Sequence, residues 1–311
     1  MPRHLIHIGY HKTATTWFQK RYYPNVANVA YVPRNTVQEA FLEPSAFRFD
    51  PAAARARLAE YEREDAEWAV LCEEELSGNV HSGGMLGCQS RDVAQRLKRT
   101  FGDAEIVIFL RNQVDMTAAL YAHYIREGGT HRPERYLFPE RFRKDVARHR
   151  FKYPLFSFDH LDYAGLVRYY RELFGASHVH VFLFEAFRDD PAAFVADYSA
   201  RFGLASGGPE PGDNAENAGF ALRALTLARW LNHFTYRSVL DKRVVARLLS
   251  NKLRSDLPRM MNRSRFRGGV ASPQRLLRPE TIDTIRRRFT EGNRWLMDEL
   301  GLPLAEFGYP Y

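Results

Sequence analysis

Residues 5–19, LIHIGYHKTATTWFQ, limit what this chain can fold into more than any other segment. Leu5, Ile6 and Ile8 read as a short buried strand. Gly9 then permits a backbone conformation that a side chain would forbid. A tight loop follows with one lysine, Lys12, and three threonines, Thr13, Thr15 and Thr16. The residues from Thr13 to Thr16 open an amphipathic helix whose first amide groups lack internal partners. Free N–H groups, hydroxyls and an ammonium together make an anion site, and the expected ligand is a phosphate or sulfate ester. A nucleotide-triphosphate loop needs four residues between two glycines and a lysine directly after the second. Here Lys12 follows Gly9 by three, and Ala14 stands where a second glycine would be. The plain alternative is an ordinary strand–turn–helix with a capping threonine.

Further along, apolar runs alternate with helical patterns, which predicts an α/β fold with a mostly parallel sheet and crossover helices. Strands are expected at 4–8, 29–32, 68–72, 105–110 and 179–184. Helices are expected at 51–64, 91–100, 114–126, 163–174 and 191–202. In the run EIVIFL at 105–110 every residue after Glu105 is apolar, as a central strand buried on both faces would be. The Gly- and Pro-rich stretch 205–213, ASGGPEPGD, is the best linker, and helices at 216–234, 239–253 and 279–300 follow it. With 311 residues and 45% hydrophobic content, the chain can bury one large core. The expectation is a single domain, 1–311, with an α/β core over 1–204 and a helical elaboration over 205–311.

Charge and composition narrow the partners. Forty-five basic residues against 37 acidic give a net charge of +8, which suits an anionic cofactor or acceptor. No zinc-finger, homeodomain or RNP-type signature argues for nucleic acid. No run approaches the roughly 18 apolar residues of a membrane span. The start MPRHLIHIGY lacks signal-peptide anatomy, and two cysteines form no disulfide framework, so a cytoplasmic protein is expected.

The segment HKTATTWFQ resembles the 5′-phosphosulfate-binding loop of sulfotransferases, which use 3′-phosphoadenosine 5′-phosphosulfate (PAPS). That loop reads roughly Lys-x-Gly-Thr-Thr before an apolar helix. Lys12, Thr15, Thr16, Trp17 and Gln19 fit it, and Ala14 departs from it. The resemblance runs from about His4 to Leu204 and includes the strand, Glu, Asp-Pro and helix pattern of HVHVFLFEAFRDDPAAFVADYSARFGL. It implies a P-loop-like sulfotransferase fold, of the bacterial, cytosolic type, in which Gly9, His11, Lys12, Thr13, Ala14, Thr15 and Thr16 bind the cofactor. Trp17 would stack on adenine or pack in the core. Arg111, ending EIVIFLRN, would hold the 3′-phosphate, although the family's Ser falls on Ala119 and its Pro on Gln113. Arg265, Arg267 and Gly268 match a late basic loop loosely.

The run WAVLCEEELSG resembles a Ser-Glu-x-Leu-Ser stretch, which makes Glu74 the carboxylate expected to act as general base. Three adjacent carboxylates repel one another, which can raise a pKa. The bland reading is a solvated strand end. His123, or His11 beside Lys12, is the alternative base. Residues 131–163 interleave aromatic and basic side chains and are expected to form either an acceptor-binding lid or a helical cap.

The resemblance therefore implies transfer of a sulfuryl group from PAPS to a hydroxyl or amine of a small-molecule or carbohydrate acceptor. No metal-ligand spacing is present, and none is expected. The alternatives are a nucleotide-dependent kinase on related architecture and a non-catalytic nucleotide-binding module.

Overall fold

The computed structural model describes residues 2–205, 221–235, 251–263 and 268–311, with the side chains of 251–255 and 263 left aside. The chain divides into two compact units, each built from several stretches of sequence.

The first unit comprises residues 1–79, 87–111 and 162–213. It holds five strands: β1 (Arg3–His7), β2 (Val29–Val32), β3 (Trp68–Cys72), β4 (Glu105–Leu110) and β5 (Val179–Leu183). All pair in parallel, in the order β2-β3-β1-β4-β5. β4 is interior, as its apolar run predicts, but β1 takes the middle place. Leu5 sits beside Val70 of β3 and Glu105 of β4. The sheet turns from one winding direction to the other at β1, and the crevice outside the carboxyl ends of such strands is where open α/β sheets bind ligands.

One face of the sheet carries an aromatic core. Leu5, Trp68, Val70, Cys72, Val107 and Phe109 pack there with Trp17, Phe18, Tyr22, Tyr23, Phe187 and Tyr198. A buried polar chain runs through it. His7 Nδ1 lies 3.2 Å from the Tyr23 hydroxyl, which lies 2.7 Å from that of Tyr198. The helix Tyr163–Phe174 packs on β4 and β5.

The helix after β1 differs from the even amphipathic helix expected. An α-turn, Thr15–Trp17, widens into a π-helical stretch, Phe18–Tyr22, and tightens into a 3₁₀ turn, Tyr23–Asn25. The wide stretch buries Phe18, Gln19 and Tyr22 together. Other bounds move too: the helix expected at 91–100 is Cys88–Phe101, starting after Gly87 at φ 84°, and that at 51–64 ends early, at Ala59.

The second unit comprises residues 80–86, 112–161 and 214–311. Its described helices include Gln113–Arg126, Pro133–Leu137, Lys144–Arg148, Leu222–Asn232, Asn251–Arg263 and Pro279–Leu300. The expected helix 239–253 and the linker 205–213 fall mostly outside the described residues. Buried amides join the parts. Gln113 and Asn293 exchange hydrogen bonds of 2.7 and 3.1 Å, and Asn293 also donates to the Pro310 carbonyl at 2.6 Å. Asn232 donates to the carbonyls of Ile125 and Gly129. In the 131–163 region, Tyr136, Phe138, Phe156 and Phe158 are buried, whereas Phe142 and Phe151 are 54% and 69% exposed.

Candidate active site

The site is assembled at the carboxyl ends of β1, β3 and β4. Beyond β1 the chain stays beside β4: Phe109 donates to the Gly9 carbonyl and Tyr10 to that of Phe109. Gly9 has φ 99°, and a Cβ there would stand 3.0 Å from the Cα of Glu74. The end of β3 therefore rests directly on this glycine, and any side chain would push the two apart.

Lys12 (φ 61°) and Ala14 (φ 67°) both occupy the left-handed region. Ala14 caps the first helical turn, its carbonyl accepting from Trp17 and Phe18. Alanine thus adopts a left-handed conformation that glycine reaches without the cost of a Cβ. Thr13 is fully buried and its hydroxyl donates to the Tyr10 carbonyl at 2.5 Å, so this side chain braces the loop. Thr15 is buried at the first turn and Thr16 is exposed.

Arg111, at the end of β4, donates from Nη1 to the Lys12 carbonyl at 3.0 Å. Its guanidinium lies 4.8 Å from the centroid of the Phe184 ring, and its own carbonyl accepts from the Tyr163 hydroxyl at 2.9 Å. Arg111 therefore sets the loop backbone at Lys12 as well as bringing a cation to the crevice.

The three carboxylates after β3 separate into distinct environments. Glu73 is fully buried and takes Arg34 through Nε and Nη2 (2.6 and 3.1 Å), Gln38 at 2.7 Å and the Glu75 amide at 3.0 Å. Burial pushes its carboxyl up, with the hydrogen bond from Arg34 opposing. Glu74 accepts from Gln19 at 2.8 Å and pairs with Arg34 at 3.2 Å, with 12% of its side chain exposed. Glu75 faces His11 Nε2 at 3.3 Å. Burial raises its carboxyl too, but His11 and Asn79 outweigh that and hold it below the usual range. The rise at Glu73 comes first from burial and only then from the neighbouring Glu74, and its partners wall this carboxyl off.

The structure thus brings Gly9, His11, Lys12, Thr13, Ala14, Thr15, Thr16, Glu74 and Arg111 together within one unit. Trp17 does not join them. Its ring is 5% exposed, stacked on Tyr22 at 5.5 Å and packed against Phe187 and Phe18. It belongs to the core, because the strand-to-helix turn points it back over the sheet. His123 lies on Gln113–Arg126 in the second unit, its ring 5.2 Å from that of His81. Gly268 (φ 80°) also belongs to that unit, against Arg223, while Arg265 and Arg267 lie outside the described residues. Thr117, two residues before Ala119, donates its hydroxyl to the Gln113 carbonyl at 2.7 Å.

Sequence reasoning missed Arg34 and Gln38. Their spacing is that of one helix face, on Arg34–Phe41, but only the pairing of β2 with β3 sets that face beside Glu73.

No family profile and no curated protein sequence matches the chain. Among solved structures, a sulfotransferase from Alicyclobacillus acidocaldarius is similar, with a TM-score of 0.48 and 23% identity over 70% of this chain and 87% of that one. Mouse sulfotransferase SULT7A1 complexed with PAP is also similar, with a TM-score of 0.41 and 13% identity over 94% of this chain and 84% of that one.

Proposed function

We propose that this chain is a PAPS-dependent sulfotransferase that sulfates a hydroxyl or amine of a small-molecule or carbohydrate acceptor. One observation carries the reading. Lys12, Glu74 and Arg111 come from the ends of three neighbouring strands and are tied by direct contact, Arg111 to the Lys12 carbonyl and Glu74 against Gly9.

Each residue has a task that its surroundings suit. Lys12, beside the anion loop, is the cation for charge that builds on the leaving phosphate. Sulfuryl transfer, by analogy with phosphoryl transfer, passes through a spread-out transition state, so positioning and electrostatics do most of the work. The sulfur–oxygen bond to the phosphate breaks as the acceptor oxygen or nitrogen bonds to sulfur. The acceptor's proton goes to Glu74, and the electron pair stays on the phosphate. Gln19 and Arg34 hold the Glu74 carboxylate in place and act as positioning residues. Arg111 is assigned to the 3′-phosphate, without the hydroxyl that Ala119 lacks. Phe142 and Phe151 remain exposed in the stretch assigned to the acceptor.

Among the described residues no helix is long and apolar enough to cross a membrane. Cys72 and Cys88 are both free thiols. These features accord with work in the cytoplasm.

Calorimetric titration with adenosine 3′,5′-bisphosphate, ADP and ATP, with and without magnesium, tests the reading. Preference for the 3′-phosphorylated nucleotide without magnesium supports it. Preference for ATP with magnesium transfers it to a kinase, and nucleotide binding without transfer to any acceptor leaves a binding module. With an acceptor in hand, Lys12→Ala abolishes turnover with the fold intact. Glu74→Gln lowers kcat about a hundredfold and leaves nucleotide affinity within about twofold. Unchanged turnover in either variant removes that residue from the mechanism.

A further inference from the structure

A second cleft lies at the other end of the same strands. It is an open cleft of about 670 Å³, within the range of small-molecule sites. Its walls come from the starts of β1, β3 and β4 and from the end of the helix Pro191–Phe202. Two cations border it, each laid against a ring. The Arg3 guanidinium is 4.2 Å from the Trp68 centroid, and that of Arg201 is 5.3 Å from the Phe182 centroid. Ring contacts of this kind hold a guanidinium in place without using its hydrogen-bond donors.

The donors and acceptors of the cleft do not balance. Glu105 is fully engaged: Arg3 and His178 lie at 3.1 Å and His180 at 2.6 Å. Arg201 and Ser177 are both exposed, and among the described residues Arg201 has no ion-pair or hydrogen-bond partner in the protein and the Ser177 hydroxyl no hydrogen bond to it. Open to a ligand, in exchange for water, are the whole guanidinium fork of Arg201, the Ser177 hydroxyl and part of Arg3's fork. Glu67 stands on the rim with Oε2 accepting from Asn28 at 3.1 Å, and its charge works against a large polyanion.

We propose that this cleft binds a small molecule through a phosphate or carboxylate group, held by Arg201 and Ser177 with Arg3 alongside. The planar fork of Arg201 suits two parallel bonds to such a group. The site is separate from the phosphate loop, since Arg3 opens the strand whose far end leads to Lys12. It also stands apart from the proposed transfer reaction.

The test is calorimetric titration of inorganic phosphate into the full chain. Lys12→Ala first weakens phosphate binding at the loop, so that the cleft contributes more of what remains. Phosphate still binds this variant. Adding Arg201→Ala weakens binding at least about tenfold, as expected for loss of a charge-assisted bidentate contact. Adding Glu67→Gln instead tightens it by about threefold, because a like charge leaves the rim. Ser177→Ala, a change too small to disturb folding, weakens it in the same direction as Arg201→Ala. Repeating the titration with acetate distinguishes a carboxylate site from a phosphate site. Loss of all phosphate binding in Lys12→Ala, or equal binding with and without Arg201, overturns the proposal.

Discussion

Ala14 and Lys12 both sit at positive φ in the loop between His7 and Thr15, and neither is glycine. A left-handed residue with a Cβ costs about 1–2 kcal/mol, part of which glycine returns through its freer unfolded state. Ala14→Gly is therefore expected to stabilise the chain by about 1 kcal/mol or less, read by urea unfolding, with nucleotide affinity unchanged or improved. Ala14→Val, branched at Cβ, shifts stability the other way. His7 offers a second test at this scale. Burial against Phe109 and Phe18 lowers its imidazole pKa from 6.5 to about 3. Between those values the unfolded chain takes up a proton that the folded chain refuses. Stability is complete above pH 6.5 and falls by about 1.4 kcal/mol for each pH unit below it, down to about pH 3. Calorimetric unfolding at several pH values checks this, and His7→Gln should flatten the slope in that window.

At the scale of elements, the helix Gln113–Arg126 is tied to Pro279–Leu300 by one pair of buried amides. Asn293→Leu strips Gln113 and the Pro310 carbonyl of their partner at once, and a loss of about 2 kcal/mol in unfolding free energy is expected. The strands and most helices of the first unit were legible in the sequence, because apolar runs buried on both faces and caps such as Asp50 and Asp190 are local signals. The widening at Phe18–Tyr22 was not legible, since a row of aromatic residues fits a narrow or a wide turn equally well. Nor was the Gln113–Asn293 pair, whose partners lie on helices far apart in the chain. In the site, Lys12, Glu74 and Arg111 could be found because each follows a strand. Trp17 was ambiguous for the reason that a ring on a helix satisfies a core as readily as a base. Arg34 stayed invisible until β2 was paired with β3.

On the scale of the whole molecule, the excess of eight positive charges acts as a field on any anionic ligand. Association with adenosine 3′,5′-bisphosphate should slow several-fold as salt rises from about 20 to about 200 mM, while dissociation changes less; stopped-flow measurement separates the two. The sheet order carries a different consequence. β1 has no partner near it in sequence, since Leu5 must meet both Val70 and Glu105. Such distant pairings form late and slowly. The anion loop hangs from this strand, so it cannot be shaped until the chain on either side has closed around it. Recovery of nucleotide binding after dilution from denaturant would then follow the closing of the sheet in time, and the ligand itself becomes a clock for folding.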